Sequence, residues 1–306
     1  MATIAVVGAG AIGTFFAAHL AGAGREVTVC VRRRFDELVV DGADGETVRA
    51  TPRVLTDPAE VTAPVDWLLL ATKAHQTEGA AGWLHALAGP DTTVVVLQNG
   101  VEHEARVRPF LRHAGTEIVP AVVYCGAEVI EPGHIVHRTN GFLIVPAGPS
   151  ADALVELYAP ARAGIRPTDD FVTAAWQKLC ANVAANGITA LTGRRVEVFG
   201  RADIVAVGRA LVAETIAVAQ AEGAAIDESY ADLLFGGIAA MPGDGGTSML
   251  YDRLAGRPLE HDALYGAVSR AGRRHAIPTP MHDALDALLA ALSDAPVATA
   301  HGIAGP

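Results

Sequence analysis

Cysteine is scarce in this chain. Cys30, Cys125 and Cys180 are the three present, far apart and without a CxxC pair. That excludes a disulfide framework or a zinc ribbon and favours a reducing, cytoplasmic setting. Positive charge is short as well. With 23 Lys and Arg against 34 Asp and Glu, the net charge is -11, so no general affinity for nucleic acid or an anionic membrane is expected. No unbroken apolar run nears the ~20 residues of a membrane span. The opening "MATIAVVGAGAIG" has no basic flank and is punctuated by glycine, unlike a signal peptide. His75, His103, His134, His137, His261 and His275 are scattered and lack a metal-ligand spacing such as HExxH, so no metal site is expected. What is plentiful is apolar: 51% of 306 residues are hydrophobic and 19% charged. This suits a soluble globular chain of two domains.

The first half alternates short β-rich runs with helical patterns. Thr3–Val7, Val27–Val31, Trp67–Ala71 and Thr93–Leu97 are strand candidates, and Ile12–Ala23 has helical periodicity. Such alternation predicts an α/β fold with a parallel sheet covered on both faces. From Ile118 the pattern predicts an antiparallel extension of three strands, with tight turns at Glu131-Pro132-Gly133 and Thr139-Asn140-Gly141. A helix over Ser150–Arg162 follows, and Asp169-Asp170 marks the domain boundary, giving 1–168 and 169–306. The second part predicts helices over Phe171–Leu191, Ala202–Glu222, Glu228–Met241, Leu259–His275 and Met281–Leu292. "MPGDGGTS" is a loop, and 293–306 a flexible tail.

"IAVVGAGAIG" carries GxGxxG directly after a strand and at the opening of a helix, as a dinucleotide site requires. Gly8 permits the tight turn, Gly10 lets a pyrophosphate approach the backbone, and Gly13 lets the helix pack on the sheet. The binding stretch is therefore Gly8, Ala9, Gly10, Ala11, Ile12 and Gly13, with the helix N-terminus facing the phosphates. About 20 residues on, NAD sites carry an acid. Here Arg32, Arg33 and Arg34 stand in its place, and guanidinium suits a 2′-phosphate. NADP(H) is the expected cofactor, with Arg32 first in line. Asp36, close by, keeps the NAD alternative open. At the carboxyl ends of later strands, "LLLATKAHQ" supplies Lys73 and Gln76, and "VVVLQNGVE" supplies Gln98, Asn99 and Gly100. Both would face the cofactor crevice.

In "WQKLCANVAANGITALTG", Lys178, Asn182 and Asn186 recur every four residues on an otherwise apolar helix. Steps of four keep side chains on one side, drifting by about 40° each.

These stretches together resemble the ketopantoate reductase (2-dehydropantoate 2-reductase) family. The matching runs are "GAGAIG", "TKAHQ", "QNGV", "KLCANVAANGITALTG", "SMLYDRLAGRPLEHD" and "HAIPTP", in order over nearly the whole chain. The resemblance implies a Rossmann domain, a helical C-terminal domain, and NADPH-dependent reduction of a 2-oxo acid, ketopantoate to pantoate, between them. It implies Lys178 as general acid, its pKa lowered by burial. Asn182 and Asn186 would hold substrate oxygens, Ser248 the substrate carboxylate, and Glu260 the lysine–substrate geometry. Lys73 and Asn99 would lie near the nicotinamide and ribose, and Arg32 at the 2′-phosphate. Without the resemblance, Ser248 reads as the N-cap of a following helix and Glu260 as a first-turn acid. Asn186 then closes its helix before Gly187, and Asn182 caps a neighbouring loop.

Departures from the family concern the pocket wall. Relatives carry stretches like "TEIDYINGA"; this chain has "LEHDALYGA", with His261, Ala263 and Tyr265. The loop around Gly245 is poor in side chains, and Arg194 and Arg195 replace small or polar residues. Chemistry is thus a firmer inference than substrate. The competing functions are reduction of another 2-oxo acid or an imine, and a non-catalytic NADP(H)-binding sensor. A homodimer is the expected assembly.

Overall fold

The computed structural model describes residues 2–159, 161 and 163–294, without the side chain of residue 140. The chain divides into two compact units, Met1–Phe171 and Val172–Pro306.

The first unit is built on strands β1 (Ile4–Val7), β2 (Val27–Cys30), β3 (Leu38–Gly42), β4 (Thr47–Ala50), β5 (Arg53–Leu55), β6 (Trp67–Leu70), β7 (Thr93–Val96), β8 (Glu117–Pro120), β9 (Val122–Glu131), β10 (His134–Pro146) and β11 (Gly164–Thr168). Its helices are α1 (Ala11–Gly22), α2 (Ala81–Leu87), α3 (His103–Val107) and α4 (Pro149–Tyr158). One sheet is wholly parallel, in the order β5-β2-β1-β6-β7-β8. Its direction of growth reverses between β1 and β6, which opens a crevice at their carboxyl ends. β1 shows why the sheet needs cover on both faces. Ile4 and Val6 join a cluster with Phe16 and Leu20 of α1, while Ala5 and Val7 join Trp83 and Leu84 of α2. Successive side chains of a strand point to opposite faces.

The antiparallel hairpin β9–β10 turns at Pro132-Gly133, where Gly133 takes φ +82°. It belongs to a second sheet, β11-β10-β3-β4, and one residue, Ala121, separates β8 from it. The turn expected at Thr139-Asn140-Gly141 is absent. β10 runs straight through it, and the extra residues are taken up as register shifts between His137 and Thr139 and between Thr139 and Phe142. These are β-bulges, which share the Asn-Gly signature of a turn because both need relaxed backbone.

The second unit holds α5 (Phe171–Thr192), α6 (Ala202–Ala221), α7 (Tyr230–Ala239), α8 (Ser248–Leu254), α9 (Ala267–Arg274) and α10 (Pro280–Asp294). A π-helical turn, Asp262–Gly266, leads into α9. Helix α8 is the helix that Ser248, read without the resemblance, would cap. Thr247 caps it, its side chain accepting from the Leu250 N–H, so Ser248 is the first helical residue and not the cap. Ser293 and Asp294 close α10, and the rest of the tail lies outside the described residues, as does Arg162. No described helix is long and apolar enough to cross a membrane.

Candidate functional site

The glycine loop of the first unit is shaped by contacts on three sides. Gly8 takes φ +96°, and its N–H donates to the Cys30 carbonyl at 2.9 Å. A Cβ there would crowd the backbone of Ala71 and Thr72, just past β6. A Cβ on Gly13 would overlap the Gly8 carbonyl oxygen. Gly10 differs: it is exposed, and a Cβ on it would meet nothing within 4 Å. It also caps α1 without any side-chain hydrogen bond, and the first turn holds no acid. Open space over Gly10, unspent helix N–H groups and no negative charge together fit a dinucleotide pyrophosphate.

Beyond β2, Arg32 and Arg33 are exposed and make no ion pair with another described residue. Arg34 is 3.9 Å from Glu60. Lys73 is half-buried after β6, and the Gln76 side chain accepts from its N–H at 3.4 Å. Asn99 is half-buried after β7.

Gln98 is buried and braces these loops instead of facing the crevice. Its Nε2 donates to Thr72 Oγ1 at 3.1 Å and Thr77 Oγ1 at 3.0 Å, joining the β6 and β7 ends. Arg106 donates to Gln98 Oε1 at 3.3 Å and to the Asn99 carbonyl at 3.2 Å, so the Asn99 backbone is held from behind. His103 Nε2 lies 2.9 Å from the Gln98 carbonyl, an acceptor, which makes that nitrogen the protonated one. Burial, and then the Arg106 charge, push the His103 pKa down to about 4 against the Gln98 hydrogen bond, so the ring is neutral. In the sequence His103 is one of the scattered histidines, and nothing in the five-residue helix it opens signals burial.

In the second unit, Lys178 and Asn182 are half-buried on α5 and Asn186 is 6% exposed. The helix continues through Gly187 to Thr192, so Asn186 does not close it. The Asn186 carboxamide has no hydrogen-bond partner among the described residues. Its polar atoms are not among the fully buried unpaired ones, so this amide, on a residue otherwise buried, opens to the surface where a ligand can meet it. On the apolar side, Leu179, Val183 and Ile188 are buried, each contributing about 1.5–3 kcal/mol.

Ser248 is exposed at the start of α8. Its neighbour Thr247 lies 2.6 Å from Thr189, oxygen to oxygen, and Arg253 donates to the Ala190 and Leu191 carbonyls at the end of α5. α8 is therefore stapled to α5 at two points. Glu260 is 5% exposed, one residue before the helix that starts at His261. The turn leading to it is shaped by Asp252, which is buried, accepts from Arg257 Nε at 2.8 Å, and offers its carbonyl to the Arg257 N–H. The Tyr265 hydroxyl reaches α5 at Val183 and Gly187. His261 Nδ1 is 2.6 Å from Asp286 Oδ1. No cluster of three or more His, Cys, Asp and Glu fit for a metal occurs among the described residues.

Comparison with known proteins gives a consistent picture. The family described as Ketopantoate reductase PanE/ApbA matches residues 4–150, and its C-terminal counterpart matches residues 170–293. The 2-dehydropantoate 2-reductase of Mycobacterium tuberculosis is 45% identical over 299 residues, which is 97% of this chain and 100% of that one. The crystal structure of 2-dehydropantoate 2-reductase from Geobacter metallireducens is similar with a TM-score of 0.87 at 29% identity, over 94% of this chain and 98% of that one. A dimeric ketopantoate reductase from Staphylococcus aureus is similar with a TM-score of 0.84 at 26% identity, over 95% and 98%.

Proposed function

The chain belongs to the ketopantoate reductase family, and from that premise we propose that it reduces a 2-oxo acid, 2-dehydropantoate first, with NADPH. The observation that carries this most directly is the row of Lys178, Asn182 and Asn186 on α5, the Asn186 carboxamide making no hydrogen bond to another described residue.

The first unit serves the nucleotide and the second the substrate. Gly8 to Gly13, including Ala9, Ala11 and Ile12, cradle the pyrophosphate, and Arg32 takes the 2′-phosphate. Lys73 and Asn99 attend the ribose and nicotinamide, Gln76 shaping the Lys73 turn. Bound NADPH supplies a hydride. A new C–H bond at the ketone carbon leaves the carbonyl electron pair on oxygen. Lys178 stabilises that charge and gives the proton that completes the O–H bond. Asn182 and Asn186 orient the substrate oxygens, Ser248 meets the carboxylate, and Glu260 holds the lysine to its task.

Three free cysteines, Cys30 and Cys180 buried and both pushed up to about 12 by burial, suit a reducing compartment, and the cytoplasm is the inferred location. A homodimer is the inferred assembly, by likeness to the dimeric Staphylococcus aureus protein.

The test is NADPH absorbance on mixing with a panel of 2-oxo acids and imines, run beside NADH. The expected result is the highest kcat/KM for 2-dehydropantoate with NADPH. Preference for another acid would move the substrate and keep the chemistry. Tight NADPH binding without oxidation by any carbonyl compound would make the chain a sensor and overturn the proposal.

A further inference from the structure

Tyr265 is fully buried, yet its hydroxyl makes two hydrogen bonds to the backbone of α5. It accepts from the Gly187 N–H at 2.7 Å and donates to the Val183 carbonyl at 2.9 Å. Residues 183 and 187 are the two ends of one rung, since an α-helix joins each N–H to the carbonyl four residues back. A hydroxyl has one proton and two lone pairs, so it satisfies both ends at once. Polar groups inserted into the ladder in this way bend a helix.

The surroundings are built for this contact. A Cβ on Gly187 would fall 2.8 Å from Tyr265 Cζ and nearer still to the hydroxyl, so only glycine leaves room. Glycine in mid-helix is otherwise unfavourable. The ring of Tyr265 lies 5.8 Å from that of His282, which is itself fully buried and fixed by Glu214 at 2.8 Å and Thr215 at 3.0 Å. Tyr265 sits in the π-helical turn Asp262–Gly266, which begins two residues past Glu260. Such turns recur at functional sites because the extra residue re-aims a side chain. Burial pushes the phenol well above its ordinary pKa, so the group stays neutral and acts by hydrogen bonding alone.

Asn186 is the residue before Gly187, and Asn182 the residue before Val183. We propose that Tyr265 is a positioning residue: by bridging the rung between Val183 and Gly187 it sets the angle between the part of α5 bearing Lys178 and Asn182 and the part bearing Asn186. The row drifts by about 40° per step in a straight helix, and a fixed bend at this rung lets an ammonium and two amides converge on one small molecule. The inference rests on the proposed function, since it assumes that those three groups share a substrate.

The experiment uses the full chain carrying Tyr265→Phe, which removes one oxygen and keeps the ring. Expected are a cooperative melt, an unchanged Kd for NADPH, a kcat lowered about 10-fold or more, and a KM for the 2-oxo acid within about threefold of the parent. Loosening of the fold as a whole would shift kcat, KM and the NADPH Kd together, and that result overturns the positioning role. So does a folded Phe variant with parental kcat. Should the Phe variant not fold, it is combined with Ala276→Gly, a stabilising change at a left-handed helix end away from this contact. The same selective loss of kcat is expected there, and parental kcat refutes the inference. A parent chain inert toward every 2-oxo acid removes the proposed function and this inference with it. An active parent, silenced by Lys178→Ala but not by Tyr265→Phe, removes the inference alone.

Discussion

The Oγ1 atoms of Thr247 and Thr189 lie 2.6 Å apart. Thr189 donates its proton to the Ala185 carbonyl at 2.9 Å, so the proton on the shared bond belongs to Thr247, whose lone pair takes the Leu250 N–H at 3.2 Å. One hydroxyl thus caps α8 and fastens it to α5, three residues from Asn186. It fixes where Ser248 begins.

Thr247→Val removes both bonds while keeping the shape. The expected loss is about 1–2 kcal/mol in urea unfolding. A rise of several-fold in KM for the 2-oxo acid, with NADPH affinity unchanged, should accompany it. Thr247→Ser should restore both values. Unchanged KM in the valine variant would separate Ser248 from the substrate.

His103 makes stability depend on acid. In the folded chain its pKa is about 4, against an ordinary 6.5. Between these values the unfolded chain takes up a proton that the folded chain refuses, so stability is full above pH 6.5 and falls toward pH 4. The loss is about 3 kcal/mol in all. The chain has eleven histidines, so the His103 share of the slope from pH 6.5 to 5 is the difference between the parent and a His103 variant. His103→Gln should flatten that slope in denaturant titrations, and an equally steep slope in the variant contradicts the assignment.

Ala276 is the non-glycine residue with positive φ, +55°, among the described residues. It follows α9, where the Ile277 N–H returns to the Gly272 carbonyl at 2.8 Å, a left-handed helix end. Ala276→Gly is expected to stabilise by about 0.5–1 kcal/mol, seen as a raised Tm with activity unchanged.

Arg32→Ala should weaken NADPH by about 10-fold and leave NADH affinity unchanged in direct titrations. Equal loss of both cofactors would place Arg32 away from the 2′-phosphate.

Much of this was legible because it is local. GxGxxG after an apolar run gave the strand, the turn and α1, and the four-residue spacing gave the face of α5. The strands β3, β4, β5 and β11 were not read. β4 has no buried residue and β11 carries Pro167 in its run, tolerable because it is an edge strand of its sheet. Gln98 looked like a crevice residue because strand ends usually are; that it turns inward depends on Thr77 and Arg106, fixed only in the fold. Tyr265 is 78 residues from Gly187, and no spacing rule links them. The one available signal was Gly187 itself, a mid-helix glycine that marks close approach by another group.

The most direct measurement is a single-turnover reduction of 2-dehydropantoate with NADPH by the parent chain and by Lys178→Ala, with NADPH Kd determined alongside. Expected is a hydride-transfer rate lowered by about 10²–10⁴-fold with Kd unchanged, the range for losing a general acid. A parental rate in the alanine variant would contradict the role of Lys178 and with it the proposed chemistry of α5.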